Sequence, residues 1–450
     1  MNYLSRVPFL FAFAVFTLLN LSFSCTTDNW PQFRGPDNSM IVEGDLPTEW
    51  GKDHNVAWTS DVDGDSWSSP VIWGDKIFIV SAVAEKVIPP PERQEGQPRP
   101  DPSEDKRFLS EFYRWEVSCV DLNTGEELWK KVAHQGNPRI KKHRLHNYAG
   151  ESPVTDGKRL YVYFGMTGVY CYDLDGSLLW EKDLGAYETL RGWGTGSSPV
   201  LFKDLLYVQV DNEEKSFLVA LDTKTGDEVW KANRDEATNY STPIIWKNSI
   251  RSELVVGGKK ARAYDPATGD LIWELHMAGH YNIASAVADP EFLYIGNSGY
   301  RDIPSTLFCV KAGAEGDITP AEGEGTSNGI AWSNLDAPLG RPSPLLYDGL
   351  LYLLSSRGGE FTCVDAATGD QMYQEKIEKV GITWASPWAH GDKIYFYDEK
   401  GVTQVIKAGK EFELLYQNKL EDKFWASVAV KEDHYIFKGV EKMYCVKNLE

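Results

Sequence analysis

Short runs of apolar residues, each bounded by a polar turn, follow one another along most of the chain. The runs "IFIVS" (77–81), "LYVYF" (160–164) and "IYFYD" (394–398) are rich in β-branched and aromatic residues. A turn such as "WGDK", "TDGK" or "HGDK" comes shortly before each of them. Runs of this length and composition, bounded by turn residues, predict β-strands joined by hairpins.

The same unit recurs eight times. Its first strand begins with a short phrase: "SSPV" at 68, "ESPV" at 151, "SSPV" at 197, "STPI" at 241, "ASAV" at 284, "PSPL" at 342, "ASPW" at 385 and "ASVA" at 426. Most neighbouring phrases start 41 to 46 residues apart, which is the period of a four-stranded propeller blade. The pattern therefore predicts an all-β fold, an eight-bladed β-propeller of four-stranded antiparallel blades.

The turn between the third and fourth strands is the most regular part of the unit. It reads "DLNTGEELW" (121–129), "DTKTGDEVW" (222–230), "DPATGDLIW" (265–273) and "DAATGDQMY" (365–373). Aspartate can bond the backbone two residues on, and glycine supplies the positive φ that the turn needs. The fourth strand then carries a large aromatic residue: Trp58, Trp129, Trp180, Trp230, Trp273, Trp332, Tyr373 and Tyr416. We interpret these rings as contacts between neighbouring blades, because they bury large areas with few rotatable bonds.

The two ends of the chain complement each other. The unit that starts at Ala426 is one strand short, while "NVAWTS" (55–60) reads as an outer strand with no unit before it. We expect both to form one blade, which closes the ring and removes exposed sheet edges. The predicted organisation is a signal peptide (1–25), an N-terminal segment (26–54) and the propeller (55–450), with irregular insertions at 85–108 and 311–329.

The first 25 residues read as an export signal. Arg6 provides a basic start, and residues 7–23 are nearly all apolar. The phrase "SFSC" resembles a loose bacterial lipobox, in which Cys25 becomes the acylated first residue; the alternative is ordinary cleavage with an incidental cysteine. We expect an exported protein in the periplasm or at the outer membrane, attached to the membrane by a lipid anchor only.

The charge of the chain excludes one class of partner. There are 46 lysine and arginine residues against 66 aspartate and glutamate residues, which gives a formal charge of -20. A field of that sign repels phosphate backbones. We therefore expect no nucleic-acid partner.

The candidate binding residues come just before the first strands. In a propeller the first strands line the central channel, so the segments that lead into them converge on one mouth. Aromatic, amide and guanidinium groups at such a mouth suit a sugar, a peptide or a quinone. The alternative is that the rings plug the channel or pack between blades. The candidate ligand-binding residues are Trp67, Asn147, Tyr148, Arg191, Trp193, Asn239, Tyr240, Tyr281, Asn282, Arg341, Trp384 and Trp425.

The motif D-x-x-T-G-x-x-x-W, with S-P-V some 25 residues before it, resembles the repeat of quinoprotein-type, PQQ-like eight-bladed β-propellers (PQQ is pyrroloquinoline quinone). That superfamily includes PQQ dehydrogenases and non-catalytic members such as the outer-membrane assembly lipoprotein BamB. The segments "NWPQFRGPDNS" (29–39) and "RPSPLLYDGLLYLLSSRGG" (341–359) resemble a branch of exported bacterial PQQ-like proteins. The resemblance covers residues 29–448 and implies the fold; one fold hosts many functions.

Cysteine usage separates this chain from the dehydrogenases. Similarity to the dehydrogenases implies a PQQ that is held against two adjacent disulfide-bonded cysteines beside Ca²⁺. This sequence, however, has no Cys-Cys pair and no C-x-x-C-H haem motif. Cysteine instead stands near the end of third strands, where another unit has alanine, so we expect compact apolar fillers with free thiols. These residues are Cys119, Cys171, Cys309, Cys363 and Cys445.

Two further patterns suggest metal ligands weakly. "DVDGD" (61–65) has three acids at alternate positions, but Ile72 stands where a calcium loop would need glutamate. His143 and His146 lie three residues apart beside lysine and arginine, without a visible third ligand. We expect a turn at the first place and no metal at either.

These observations predict a non-enzymatic binding or scaffold protein of the bacterial envelope, a monomer without cofactor that presents its mouth to an envelope protein or a glycan. The alternative is an oxidoreductase that uses PQQ without the disulfide. A third reading, a carbohydrate-active lyase or hydrolase, is disfavoured because paired acids are scarce at the predicted mouth.

Overall fold

Eight antiparallel four-stranded sheets form the blades of a β-propeller in the computed structural model, as predicted. The structure describes residues 29–88, 107–277, 282–299 and 304–449. The predicted signal peptide with Cys25, most of the insertion at 85–108, and Tyr281 lie outside the described residues. Within the described ranges, no helix has the length and apolar character needed to cross a bilayer.

Two strands precede the first blade and join sheets completed much later in the chain. They are β1 (Ile41–Val42) and β2 (Val56–Asp61). Blade 1 consists of β3 (Val71–Trp73), β4 (Lys76–Lys86), β5 (Phe112–Asp121) and β6 (Glu127–Gly136). Blade 2 consists of β7 (Val154–Thr155), β8 (Arg159–Tyr163), β9 (Val169–Asp173) and β10 (Leu178–Lys182). Blade 3 consists of β11 (Val200–Phe202), β12 (Leu205–Val210), β13 (Phe217–Asp222) and β14 (Glu228–Asn233).

The second insertion lies within blade 5 and contributes a short strand to blade 4. Blade 4 consists of β15 (Ile244–Lys247), β16 (Ser252–Val256), β17 (Lys260–Tyr264) and β18 (Leu271–His276). Blade 5 consists of β19 (Val287–Ala288), β20 (Phe292–Asn297), β21 (Thr306–Lys311) and β23 (Ile330–Asn334). The short strand β22 (Gly316–Asp317), from the insertion predicted as irregular, pairs in parallel with β18 as a fifth strand of blade 4.

The last three blades lead back to the start of the chain. Blade 6 consists of β24 (Leu345–Tyr347), β25 (Leu350–Leu354), β26 (Glu360–Asp365) and β27 (Gln371–Lys376). Blade 7 consists of β28 (Trp388–His390), β29 (Lys393–Tyr397), β30 (Val402–Lys407) and β31 (Leu414–Lys419), with β1 added in parallel to β28. Blade 8 consists of β32 (Ala429–Lys431), β33 (His434–Lys438), β34 (Lys442–Val446) and β2. Three short 3₁₀ turns cover Arg107–Ser110, Gly165–Thr167 and Leu190–Gly192.

The shared blade closes the ring as the sequence predicts. Strand β2, from the N-terminal side, pairs antiparallel with β34, which lies at the C-terminal side. Trp58 of β2 faces Cys445 of β34 across the ladder. No blade is therefore left with a missing outer strand in the part of the chain that the structure describes.

The outer tryptophans join each blade to the next. Trp58 of blade 8 donates from Nε1 to the carbonyl of Leu122, at the turn of blade 1, at 2.9 Å. Its ring lies over Gly125, where φ is 75° and a Cβ atom would come within 2.5 Å of the indole. Four further tryptophans donate in the same way at 3.0–3.2 Å: Trp129, Trp180, Trp230 and Trp332. The turn between the third and fourth strands of one blade thus accepts a hydrogen bond from the outer tryptophan of the preceding blade.

The five described cysteines are free and buried, each opposite the outer aromatic of its own blade. Cys119 faces Trp129, and Cys363 faces Tyr373. Ala220 occupies the equivalent place opposite Trp230, which explains why a small side chain is needed there. Burial raises the pKa of the Cys119 thiol to about 12, so this thiol is inert at neutral pH.

Residues 29–42 run across the propeller axis, beyond what the sequence predicts. Trp30 forms a bridge with the first strand of blade 1, and Pro31 accepts a hydrogen bond from the first strand of blade 2. The buried Arg34 donates to backbone carbonyls in blades 5 and 6 at 3.3 and 2.8 Å. In a ring of eight, blades 5 and 6 lie opposite blades 1 and 2. This segment therefore spans the channel.

Candidate functional site: the central cavity

A cavity of about 730 Å³ lies on the axis, where the segments that lead into the first strands converge. Its wall carries serine and threonine hydroxyls, four tryptophans and three arginines, and Phe33 from the crossing segment also lines it. Arg34 follows directly and bonds just below the first-strand serines. The crossing segment therefore forms the floor of the cavity.

A ring of eight hydroxyl residues, which we call the crown, surrounds the cavity. Each blade contributes the second residue of its repeated first phrase: Ser69, Ser152, Ser198, Thr242, Ser285, Ser343, Ser386 and Ser427. In seven cases the backbone N–H of one crown residue donates to the hydroxyl oxygen of the next, at 2.8–3.0 Å. The bonds run in one direction, from each blade to the following blade. All eight phrases carry a hydroxyl residue at that place, so the sequence contains the signal for the crown, although a serine there also fits an ordinary strand start.

The structure brings seven of the twelve candidate binding residues to this cavity. They are Trp67, Arg191, Trp193, Tyr240, Arg341, Trp384 and Trp425. Four others do not face it and are buried or nearly so in the surrounding loops: Asn147, Tyr148, Asn239 and Asn282. The twelfth, Tyr281, lies outside the described residues. Ligand binding by the seven stays a prediction.

The buried asparagines and the tyrosine hold the loops together instead. Asn282 donates from its amide to the carbonyl of Gly296, and its backbone N–H donates to Asn239 Oδ1 at 3.1 Å. Tyr148 donates from its hydroxyl to the carbonyl of Ile140 at 2.9 Å. These side chains therefore support the rim of the cavity from behind.

Three indoles on the cavity wall pack against one another. The ring centroids of Trp67 and Trp425 are 4.2 Å apart, and those of Trp384 and Trp425 are 4.6 Å apart with an interplanar angle of 7°. The guanidinium of Arg341 lies 4.5 Å from the centre of the Trp384 ring. Trp193 is stacked on His143 at 3.8 Å. Part of the flat surface that the sequence suggested for a ligand is thus already covered, and all four indoles stay half-buried.

A buried ion pair supports the rim beneath Tyr240. Arg234 donates from Nε to Asp211 Oδ1 at 2.9 Å, and neither side chain is exposed. Asp211 also accepts from the amides of Gln209 (2.8 Å) and Asn239 (3.2 Å). Asn239 directly precedes Tyr240, so this network fixes the position of a cavity residue.

Glu151 is a buried carboxyl group next to the crown. It precedes Ser152, and its Oε1 accepts a hydrogen bond from the hydroxyl of Thr195, which lines the cavity. Burial raises the pKa of Glu151 to about 8. This residue is therefore uncharged at neutral pH and adds no negative charge to the cavity.

We expect the free energy of unfolding to depend on pH because of Glu151. Because its pKa is raised from 4.5 to about 8 on folding, the folded state holds a proton that the unfolded state releases between these pH values, and stability falls as pH rises through that interval. Glu151→Gln removes this loss. Urea unfolding of the parent and the variant should show the variant gaining free energy of unfolding relative to the parent from pH 5 to pH 8. A difference that does not change with pH would contradict the assignment.

The residues of the two patterns considered for metal ligands make other interactions in the structure. In "DVDGD", Asp61 pairs with Lys442 and Asp63 with Lys130. His146 is buried, and burial with the nearby Lys142 and His143 lowers its pKa to about 3. Among the described residues, three metal-ligating side chains come together at the outer edge of blade 4, far along the sheet from the crown: Glu274, His276 and Asp317.

Comparison with known proteins agrees with the repeat and the ring. Residues 114–294 match the family described as "Outer membrane protein assembly factor BamB". The crystal structure of BamB from Moraxella catarrhalis superposes with a TM-score of 0.52 and 13% identity, over 74% of this chain and 91% of that one. A quinohemoprotein alcohol dehydrogenase from Comamonas testosteroni gives a TM-score of 0.60 and 11% identity, over 94% of this chain and 80% of that one.

The chain is an eight-bladed β-propeller, and its residues 114–294 are similar to the matched family. Its sequence is also 27% identical over 160 residues to subunit 1 of the methanol dehydrogenase of Methylobacterium organophilum. That match covers 30% of this chain and 24% of the dehydrogenase subunit. The propeller is thus similar in sequence to a short part of an enzyme subunit, and its fold is similar to that of BamB and of a quinohemoprotein alcohol dehydrogenase.

Proposed function

We propose that this PQQ-like propeller is a non-enzymatic binding or scaffold protein of the bacterial cell envelope. Its cavity end is the surface that engages an envelope protein or a glycan, and the protein acts as a monomer. The observation that carries the proposal is the lining of the cavity. Among the described lining residues there is one carboxylate, Glu360, and no histidine, cysteine or lysine.

That lining favours binding over catalysis. General acid–base and nucleophilic catalysis need a titratable pair within hydrogen-bond reach of the reacting group. Glu360 accepts a hydrogen bond from Gln374, and Glu151 lies buried behind Thr195. The same scarcity weighs against a lyase or a hydrolase, which would use two carboxyl groups.

The second candidate is a PQQ-dependent oxidoreductase, favoured by the methanol dehydrogenase match and by the quinohemoprotein neighbours. The residues of the cavity do not fit a calcium-assisted quinone site. Ca²⁺ takes six to eight oxygen ligands, several of them carboxylates or amides, whereas no asparagine or glutamine lines the cavity in the described part of the chain. The five described thiols lie on third strands, each fully buried.

We therefore expect no turnover when the protein is supplied with PQQ and Ca²⁺. The cofactor performs the oxidation, so the protein has only to hold it, orient it and tune its electronics, and the cavity offers too few carboxylate and amide ligands for the calcium ion. Calorimetry with PQQ, followed by a dye-linked assay with alcohols and sugars, measures both steps. Tight calcium-dependent binding with substrate oxidation would overturn the scaffold proposal.

Envelope location is part of the proposal. The BamB match and the export-like first 25 residues support it, and acylation of Cys25 would attach the protein to a membrane. We expect Cys25→Ser to move the protein from the membrane fraction to the soluble periplasm, as followed by fractionation and immunoblotting. A variant that still sediments with membranes would contradict the lipid anchor.

The binding surface is tested by comparing two tryptophan variants. Trp384→Ala alters the cavity wall, while Trp180→Ala alters a contact between blades 2 and 3. Pull-down from envelope extract and a glycan array should show partners that the parent and Trp180→Ala retain and that Trp384→Ala loses. Equal loss in both variants, or no loss in Trp384→Ala, would contradict the cavity as the binding surface.

A further inference from the structure

The cavity concentrates positive charge in an acidic protein. Three arginines line it, Arg191, Arg341 and Arg357, against one described acidic residue, Glu360. None of the three arginines forms an ion pair with any residue that the structure describes. By contrast, Arg234, which lies behind the rim, is paired with Asp211.

Arg341 is held in place without a partner for its charge. Its guanidinium lies over the Trp384 ring, and its Nη1 is buried without a hydrogen-bond acceptor. Its backbone N–H donates to Ser356 Oγ at 2.8 Å. Burial and the nearby charge of Arg357 lower the pKa of Arg341. An anion that binds both guanidinium groups would supply the missing acceptor and relieve the repulsion between them.

The crown adds hydrogen-bond donors to the same cavity. In the seven bonds of the ring, the hydroxyl oxygen accepts from the neighbouring backbone, which leaves the hydroxyl hydrogen of each accepting residue available as a donor. All eight crown residues line the cavity. A ligand that carries several oxygen atoms can use such donors, whereas an apolar ligand would leave them unsatisfied.

The aromatic wall argues against a flat aromatic acid. Trp425 has Trp67 and Trp384 stacked on it, and Arg341 covers Trp384. The faces of these rings are therefore largely used within the protein. Half-buried indoles can still pack against the C–H groups of a sugar ring.

We propose that the cavity binds an anionic sugar, with its acidic group at Arg341 and Arg357 and its hydroxyl groups facing the crown. This inference rests on the binding function proposed above and names the ligand class for that site. The acidic group is a carboxylate or a phosphate, because both accept the paired N–H donors of a guanidinium.

Calorimetric titration with three hexoses tests the proposal. D-glucuronate carries a carboxylate, glucose 6-phosphate carries a phosphate, and glucose is the neutral control of similar size. We expect at least one of the two anionic sugars to bind at least about tenfold more tightly than glucose, with an affinity that falls as salt rises. Comparison of the two anionic sugars identifies the acidic group. Equal affinity for all three, or binding of neither anionic sugar, would overturn the proposal.

Charge-removing variants locate the site. Arg341→Gln and Arg357→Gln should each weaken binding of the preferred anionic sugar by about tenfold, since each removes a charge-assisted contact. Lys376→Gln removes a positive charge from the exposed outer strand of blade 6 and should leave the affinity unchanged. Thermal melts confirm that the variants are folded. Unchanged affinity in both arginine variants would overturn the assignment of the acidic group.

This outcome is separable from that of the proposed function. If a protein partner depends on Trp384 while no anionic sugar binds, the scaffold function stands and the ligand class is wrong. If anionic sugars bind and are oxidised in the presence of PQQ, the ligand class stands and the scaffold function is wrong.

Discussion

Removal of residues 426–450 is expected to abolish cooperative unfolding of the propeller. The deletion takes away β32, β33 and β34, the three inner strands of blade 8, and leaves Val56–Asp61 without a sheet partner. It also removes Ser427, which accepts from the backbone of Ser386 and donates to Ser69 Oγ. The backbone of β2 would then be unpaired, the apolar side chains of blades 1 and 7 that pack on blade 8 would be exposed, and the crown would have a gap.

Thermal unfolding followed by circular dichroism, with size-exclusion chromatography, measures this effect. A shorter truncation that removes only residues 448–450 is the control, because it breaks the bonds of Asn448 to Asp45 and of Leu449 to Asn55 and keeps blade 8 intact. The control should unfold close to the parent. If the longer truncation melts at the parent's temperature, the shared blade does not hold the ring together.

Arg234→Met is expected to destabilise the protein by about 3–5 kcal/mol, because it leaves the charge of Asp211 buried without its partner. The substitution also removes a hydrogen bond to the carbonyl of Gly257 at 2.7 Å. Methionine keeps much of the volume, so the loss reports the charge more than the packing. Urea unfolding of the variant and the parent gives the difference in free energy.

The matched control is Arg139→Met. Arg139 pairs with Asp183 at 2.9 Å, but the two side chains are 43% and 60% exposed. An exposed pair of this kind contributes about 0–1 kcal/mol. If both variants lose the same free energy of unfolding, burial does not make the Arg234–Asp211 pair more important for stability than the exposed pair.

Blade number and ring closure could be predicted because every blade carries a copy of the first-strand phrase and four blades also carry the Asp-x-x-Thr-Gly turn. The Asp-x-x-Thr-Gly turn, exemplified by Asp121 and Gly125, marks the place where one blade receives the tryptophan of the preceding blade. The isolated strand around Trp58 then matched the one unit that lacked an outer strand, the unit that starts at Ala426. At each of these positions, the residue types favour the local structure that the closed ring requires.

The cavity could be predicted only in part, because a residue and its neighbour in extended backbone point to opposite sides. Tyr240 lines the cavity, and Asn239 beside it points into the protein. The structure therefore brings only one member of this pair to the cavity. In blade 2 neither Asn147 nor Tyr148 reaches the cavity; Tyr148 has a φ of 62°, a turn that sequence periodicity does not reveal.

The crown and the floor of the cavity could not be predicted from the sequence, because both depend on how the blades are arranged around the axis. Ser69 bonds to Ser152, 83 positions away, and to Ser427, 358 positions away, so a serine that looks like an ordinary strand start is linked across blades. Phe33 and Arg34 lie in a segment without strand periodicity, and their contacts to blades 5 and 6 follow only from the closed ring.

The segment that crosses the axis gives the cavity a closed end. Phe33 lines its wall, and Arg34 is anchored on the side of the ring opposite Trp30 and Pro31. A solute that enters from the mouth must therefore leave by the same route, and the propeller cannot act as a conduit through which a chain is threaded. A polymer can insert only a terminus or a narrow bend. For the binding function proposed above, we therefore expect a polymeric ligand to be recognised at a terminus or at a narrow bend.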